Sequence, residues 1–130
     1  GMDLSMKNLM NANFNGAKLA EVNLYRTELN FSNCEGAKFY NCHAEGVYSE
    51  EVSFKDAVFR NSQFFGGTFT HSNFSNAQFN ACDLCYASLQ NCCLDGTDFG
   101  DSICDQMSRR GCNYDEEAWT AHALSPNLKM

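Results

Sequence analysis

The sequence predicts an all-β solenoid, a chain coiled into a four-sided parallel β-helix. Three observations predict it. First, every fifth residue from position 14 is large and apolar: of the nineteen positions from Phe14 to Cys104, fifteen are Phe or Leu, among them Leu19, Leu24, Phe54, Phe59, Phe74 and Phe79. Second, the residue two before each of these (Ala12, Ala17, Val22, Thr27, Ser32, Ala37 and onward to Ser102) is always small or β-branched. Two residues apart in an extended segment means the same side, so both columns face inward, and the mostly polar residue between them (Asn13, Lys18, Asn33, Gln63, Asp83) faces out. Third, Gly16, Gly36, Asp56, Asn76 and Gly96 recur every twenty residues, and all belong to types that readily take left-handed backbone angles. A five-residue side and a twenty-residue superperiod give a square. Neither the 3.6-residue period of a helix nor plain strand alternation accounts for such a repeat.

Taken in order, the elements begin at residues 2–11, where Leu4 and Leu9 keep the phase but Lys7 stands at a small inward position. This stretch is expected to be a degenerate first coil or an N-terminal cap. Residues 12–104 make between four and five coils. Parallel neighbours at ~4.8 Å would build a rod roughly 20–25 Å long. Within it the coil 32–51 carries Cys34, Phe39, Ala44 and Ser49 at its large positions, so its core is underfilled although the register is kept. The phase fails at Arg109, and 105–130 is expected to be a C-terminal cap. There 115–124 predicts a short helix with Asp115 as N-cap, Glu116 and Glu117 in its first turn, and Trp119 covering the last coil. Open coil ends invite pairing, so the expected states are a monomer or an end-to-end dimer.

The units Ala12-Asn13-Phe14-Asn15-Gly16, Ala77-Gln78-Phe79 and Cys82-Asp83-Leu84 follow the pattern A-(D/N)-L-x-x. On these residues the chain resembles the pentapeptide-repeat proteins over about 93 of its 130 residues. The resemblance implies the family fold, a right-handed quadrilateral β-helix with Phe and Leu stacked along the axis. It implies no single activity, because fold is not function.

A net charge of −7 argues against direct binding of nucleic acid or an anionic membrane, both of which want basic surface. No apolar run approaches the ~20 residues of a membrane span. Residues 2–10 also lack the apolar core of an export signal, so a cytoplasmic location is expected.

Eight cysteines raise the question of disulfides or metal. Cys82 and Cys92 fall inward while Cys85 and Cys93 fall outward on different sides, so the four sulfurs do not converge on one zinc. Cys42 and Cys82 share a column but lie two coils apart, ~9–10 Å by the strand spacing, beyond the reach of a disulfide. Cys92 and Cys112 would be neighbours only if the coil ran past residue 104, which the phase does not predict. The expectation is eight reduced thiols serving mainly as small apolar side chains in a reducing compartment, with Cys85 and Cys93 exposed to oxidation. His43, His71 and His122 are scattered, and no Ser/His/Asp grouping, glycine-rich phosphate loop or HExxH occurs. Catalytic residues, cofactor and metal are therefore all predicted to be none, and no enzyme is expected.

Two surface features remain. Residues 12–104 hold eleven acidic and five basic residues. An acidic rod is either simply soluble or a mimic of duplex DNA, and family members that protect DNA gyrase from quinolones suggest a topoisomerase as partner for the second case. The outward aromatics are Tyr25, Phe31, Tyr40, Tyr48, Phe65 and Tyr86. Tyr25, Phe65 and Tyr86 are expected on one side of the square, with Glu45, Glu50 and Glu51 nearby. That group is the candidate interaction surface. The leading expectation is a non-catalytic scaffold for an unidentified protein partner, with the DNA-mimic regulator of a topoisomerase as the alternative.

Overall fold

A computed structural model describes residues 1–113. The capping helix expected at 115–124, with Asp115, Glu116, Glu117 and Trp119, lies outside the described residues, as does His122.

The described chain is a parallel β-coil. Its three-residue strands are β1 (Lys18–Ala20), β2 (Lys38–Tyr40), β3 (Tyr48–Glu50), β4 (Val58–Arg60), β5 (Thr68–Thr70) and β6 (Gln78–Asn80). One sheet has the order β1-β2-β4-β6 and another pairs β3 with β5, all parallel. Every register step is twenty residues, as in Leu19↔Phe39↔Phe59↔Phe79. Isolated bridges complete the other two faces along Asn13↔Asn33↔Ser53↔Asn73↔Cys93 and Asn23↔His43↔Gln63↔Asp83. Among the described residues no helix forms. The alternation that marks the strands puts Phe39, Phe59 and Phe79 inside and their flanks outside.

The core is the pair of inward columns. Phe39, Phe59, Phe79 and Phe99 stack with centroids 4.9, 4.5 and 5.3 Å apart and planes within 12° of parallel. Phe54 and Phe74 stack likewise at 4.9 Å. Offset stacking adds about 0.5–1.5 kcal/mol per pair to the area buried. In the coil 32–51 the undersized Cys34, Ala44 and Ser49 are fully buried, and the Ser49 hydroxyl has no hydrogen-bond partner. In the coil above, a Cβ on Gly67 would stand 2.8 Å from Phe69 Cε2 and 3.3 Å from Val47 Cγ1.

Two devices close the backbone's hydrogen bonds. At outward positions, Asn and Asp carboxyl or amide oxygens accept the N–H two residues on: Asn13 from Asn15 (2.9 Å), Asn23 from Tyr25 (3.0 Å), Asn33 from Glu35 (2.9 Å), Asp83 from Cys85 (2.9 Å). This local turn is the physical reason for D/N in the repeat. At inward corners, the hydroxyls of Ser62, Ser72 and Ser102 accept the N–H of Cys42, Val52 and Cys82 from the preceding coil at 3.1, 3.2 and 3.1 Å. Ser62 and Ser72 also donate to the carbonyls of Phe39 (3.2 Å) and Ser49 (2.9 Å). Cysteine takes the same role: the thiols of Cys42, Cys82 and Cys92 donate to Leu19, Phe59 and Phe69 carbonyls at 3.2, 3.4 and 2.9 Å. The inward cysteines are thus corner donors as well as small apolar side chains.

Left-handed φ marks the Gly16 corner and recurs at every other kind of corner, including Glu21 (57°), Arg26 (52°), Phe31 (64°) and Tyr86 (60°). Two expectations need correction. The coil does not stop at 104: bridges run from Asp3↔Asn23 at one end to Ser88↔Ser108 and Cys93↔Asn113 at the other. The ladder uses backbone groups, and the buried Cys104 and Met107 anchor that coil even though Arg109 takes a large position. Finally, Cys85 is buried, with 8% of its surface exposed, because a short side chain at a corner is covered by larger neighbours.

Candidate interaction surface

The coil's twenty-residue step stacks corner residues into columns. Hydrogen bonds from Met6 to Tyr25, Arg26 to Glu45, Gly46 to Phe65 and Gly66 to Cys85 place Tyr25, Glu45, Phe65 and Cys85 one above another on a single edge, with Arg26, Gly46, Gly66 and Tyr86 beside them. At ~4.8 Å per coil, Tyr25 and Phe65 stand ~10 Å apart along the edge. Tyr25, Phe65 and Tyr86 are 41%, 47% and 60% exposed. The Phe65 and Tyr86 rings touch, centroids 5.4 Å apart and tilted by 60°. Tyr25 is fixed through its backbone by Asn23, and the Arg26 guanidinium lies over its ring at 5.6 Å. The stem of Arg26 crosses Gly46, where a Cβ would meet Arg26 Cγ at 3.2 Å, so glycine there lets the arginine lie flat. Glu45 sits between the rings of Tyr25 and Phe65 in the column, with Oε1 3.7 Å from His43 Nδ1.

Glu50 and Glu51 stand elsewhere. They end β3 and form the next corner, in line with Phe31, whose N–H donates to the Glu50 carbonyl at 2.8 Å. One face, carrying the exposed Tyr48, separates them from the Tyr25 edge. Tyr40 lies on the first sheet between Lys18 Nζ at 5.5 Å and the Arg60 guanidinium at 5.2 Å, a cationic patch that the overall acidity concealed. Among the described residues no group of three or more His, Cys, Asp or Glu gathers to hold a metal ion. No helix of the described residues is long and apolar enough to cross a membrane.

These features define a β-helical repeat protein with an aromatic edge. The family description "Pentapeptide repeats (8 copies)" matches residues 8–43, 32–70 and 64–101, and the chain belongs to that family. No curated protein sequence matches it. Among solved structures, the pentapeptide repeat protein Rfr23 from the cyanobacterium Cyanothece 51142 is similar at 18% identity and a TM-score of 0.60, over 98% of this chain and 87% of that one. A trypsin-treated form of QnrB1, a plasmid-mediated fluoroquinolone resistance protein, is similar at 18% identity and a TM-score of 0.59, over 92% of this chain and 61% of that one. At such identities the likeness is one of fold.

Proposed function

We propose that the protein is a non-catalytic scaffold that holds a protein partner on the edge formed by Tyr25, Glu45, Phe65 and Tyr86. The observation that carries this is the pair of touching, solvent-exposed rings of Phe65 and Tyr86, with Tyr25 further along the same edge. Aromatic side chains are enriched and charges depleted at the centres of interfaces, and residues 61–82, which supply Phe65, contain no Asp, Glu, Lys or Arg. Glu50 and Glu51 belong to the next corner and would touch only a partner broad enough to cross the face of Tyr48. A reducing compartment such as the cytoplasm goes with this reading.

The alternative, an acidic mimic of DNA acting on a topoisomerase, has the net charge of −7 and the fold likeness to a fluoroquinolone resistance protein in its favour. Against it, Lys18, Lys38 and Arg60 cluster about Tyr40 and break the acidic surface. The two separate in one comparison. With the whole chain as bait, a scaffold captures its partner in high salt and loses it when Tyr25 and Phe65 are both replaced by Ser, with the circular dichroism unchanged. A DNA mimic instead inhibits gyrase supercoiling, and that effect fades as salt is added. Capture indifferent to the double substitution would refute the scaffold edge.

A further inference from the structure

Cys92 and Cys112 are twenty residues apart, and the bridge Cys93↔Asn113, with the Asn113 N–H donating to the Cys92 carbonyl at 3.1 Å, makes them direct neighbours in one inward column. Adjacent parallel strands put their Cα atoms ~4.8 Å apart, inside the Cα range of disulfides, and the similarly spaced Cβ atoms need to approach by up to about 1 Å for the bond to close. Their thiols are oriented alike: Cys92 Sγ donates to the Phe69 carbonyl at 2.9 Å, and Cys112 Sγ to the Leu89 carbonyl, the same step one coil later. Cys92 is buried and Cys112 is half-buried, which makes Cys112 the more exposed member of the pair.

The remaining thiols lack that combination. Cys42 and Cys82 are two coils apart, Cys34, Cys85 and Cys104 are buried, and Cys93 belongs to the outward series.

We propose that Cys112 and Cys92 form a reversible thiol–disulfide pair, Cys112 being the attacking sulfur and Cys92 the resolving one, with a peroxide as oxidant. The Cys112 thiolate attacks one peroxide oxygen, the O–O bond breaks, and the hydroxide released takes a proton to become water, leaving a sulfenic acid on Cys112. The Cys92 sulfur then attacks the Cys112 sulfur; the S–S bond forms, the S–O bond breaks, and hydroxide leaves as a second water with the Cys92 proton. Two thiols lose two electrons and hydrogen peroxide is reduced to two waters. The disulfide closes a loop through residues 93–111 and ties that coil to the one before it, and a dithiol reverses it.

The electrostatics agree with the division of roles. The neighbouring Cys92 side chain, helped by the Arg109 charge, holds Cys112 below the ordinary thiol range, while the Cys112 side chain and burial push Cys92 above it. The thiolate is the nucleophile, so the lowered and more accessible sulfur attacks first.

The test uses the purified, fully reduced chain and hydrogen peroxide at a dose that fully oxidises free cysteine. The expected product has lost two hydrogens and two titratable thiols, yields a Cys92–Cys112 linked peptide on digestion, and reverts with dithiothreitol. Cys112→Ser abolishes the response; serine fits because Ser62 and Ser72 make the equivalent corner bond in this fold. Cys92→Ser leaves Cys112 as a sulfenic acid that dimedone traps, and Cys93→Ser responds like the parent chain. A link through Cys93 or between Cys85 and Cys104, sulfinic acid on Cys112 with Cys92 still reduced, or eight unreacted thiols would each overturn the proposal.

Discussion

At the scale of single residues, the columns of large and small side chains were legible because close packing selects size directly. The corners were not. Left-handed φ is required by the turn between short strands and is imposed on Glu21, Phe31 and Tyr86 as firmly as on Gly16. A left-handed residue bearing a Cβ costs about 1–2 kcal/mol, so the corners store small strains that composition does not reveal. Glu21→Gly is therefore expected to raise stability by about 0.5–1 kcal/mol in urea unfolding, with the gain of relieved strain reduced by the greater freedom of the unfolded glycine. Gly67→Ala should do the opposite and cost about 1–3 kcal/mol. Its Cβ would press on the Phe69 ring, the Phe64 carbonyl and Val47. The outward Asn and Asp residues were legible as polar but not as turn-makers, since an Asx turn is a backbone interaction that periodicity cannot register. Asn73→Ala loses bonds to the Ser75 N–H (2.8 Å) and hydroxyl (2.6 Å) and should cost about 1 kcal/mol. Gln63→Ala, without that turn, should cost little.

At the scale of the coil, stability comes from stacked rings and from the corner donors between them. Phe59 and Phe79 lie face to face at 4.5 Å with planes 6° apart, and either replaced by Ala should cost about 3–5 kcal/mol. Ser62→Ala is expected to cost about 1–3 kcal/mol, because it strips a partner from both the Cys42 N–H and the Phe39 carbonyl. Ser62→Cys should cost much less, given that Cys42 and Cys82 occupy the same column and donate in the same way. Equal losses for Ala and Cys at position 62 would show that size, not hydrogen bonding, governs the corner. The end of the coil was misplaced at 104 because the phase was judged by side chains, and Arg109 broke it. Backbone pairing tolerates one misfit where Cys104 and Met107 remain buried. The aromatic edge followed from counting in twenties. Its Arg26–Tyr25 contact and the distance of Glu50 and Glu51 from it did not, because both depend on where a side chain leans or a face ends.

At the scale of the whole molecule, burying so many thiols makes the fold sensitive to alkali. Burial pushes the Cys34 thiol up to about 12 and Cys82 to about 11, and raises Cys42 and Cys104 in the same direction, against an ordinary value of 9.0. Below pH ~9 both folded and unfolded chains keep these protons, and the burial costs nothing in ionisation. Above it the unfolded chain releases them while the folded chain holds them, so unfolding gains from each thiol about 1.4 kcal/mol per pH unit until the folded value is reached. Cys112, held down to about 7, acts in a lower window: between pH ~7 and ~9 it is ionised in the folded chain only, so it adds stability there as pH rises and leaves the slope above pH ~9 unchanged. The urea midpoint of the reduced protein should therefore rise slightly from pH ~7 to 8.5 and fall steeply toward pH ~10.5. Cys34→Val separates the causes. It stands fully buried in the coil beneath Phe54, valine is close to it in size and apolar, and the change removes one of the most strongly raised thiols. That variant should match or exceed the parent at neutral pH and lose less of its midpoint on the way to pH ~10.5. An identical alkaline slope in parent and variant would mean that Cys34 does not hold its proton when buried.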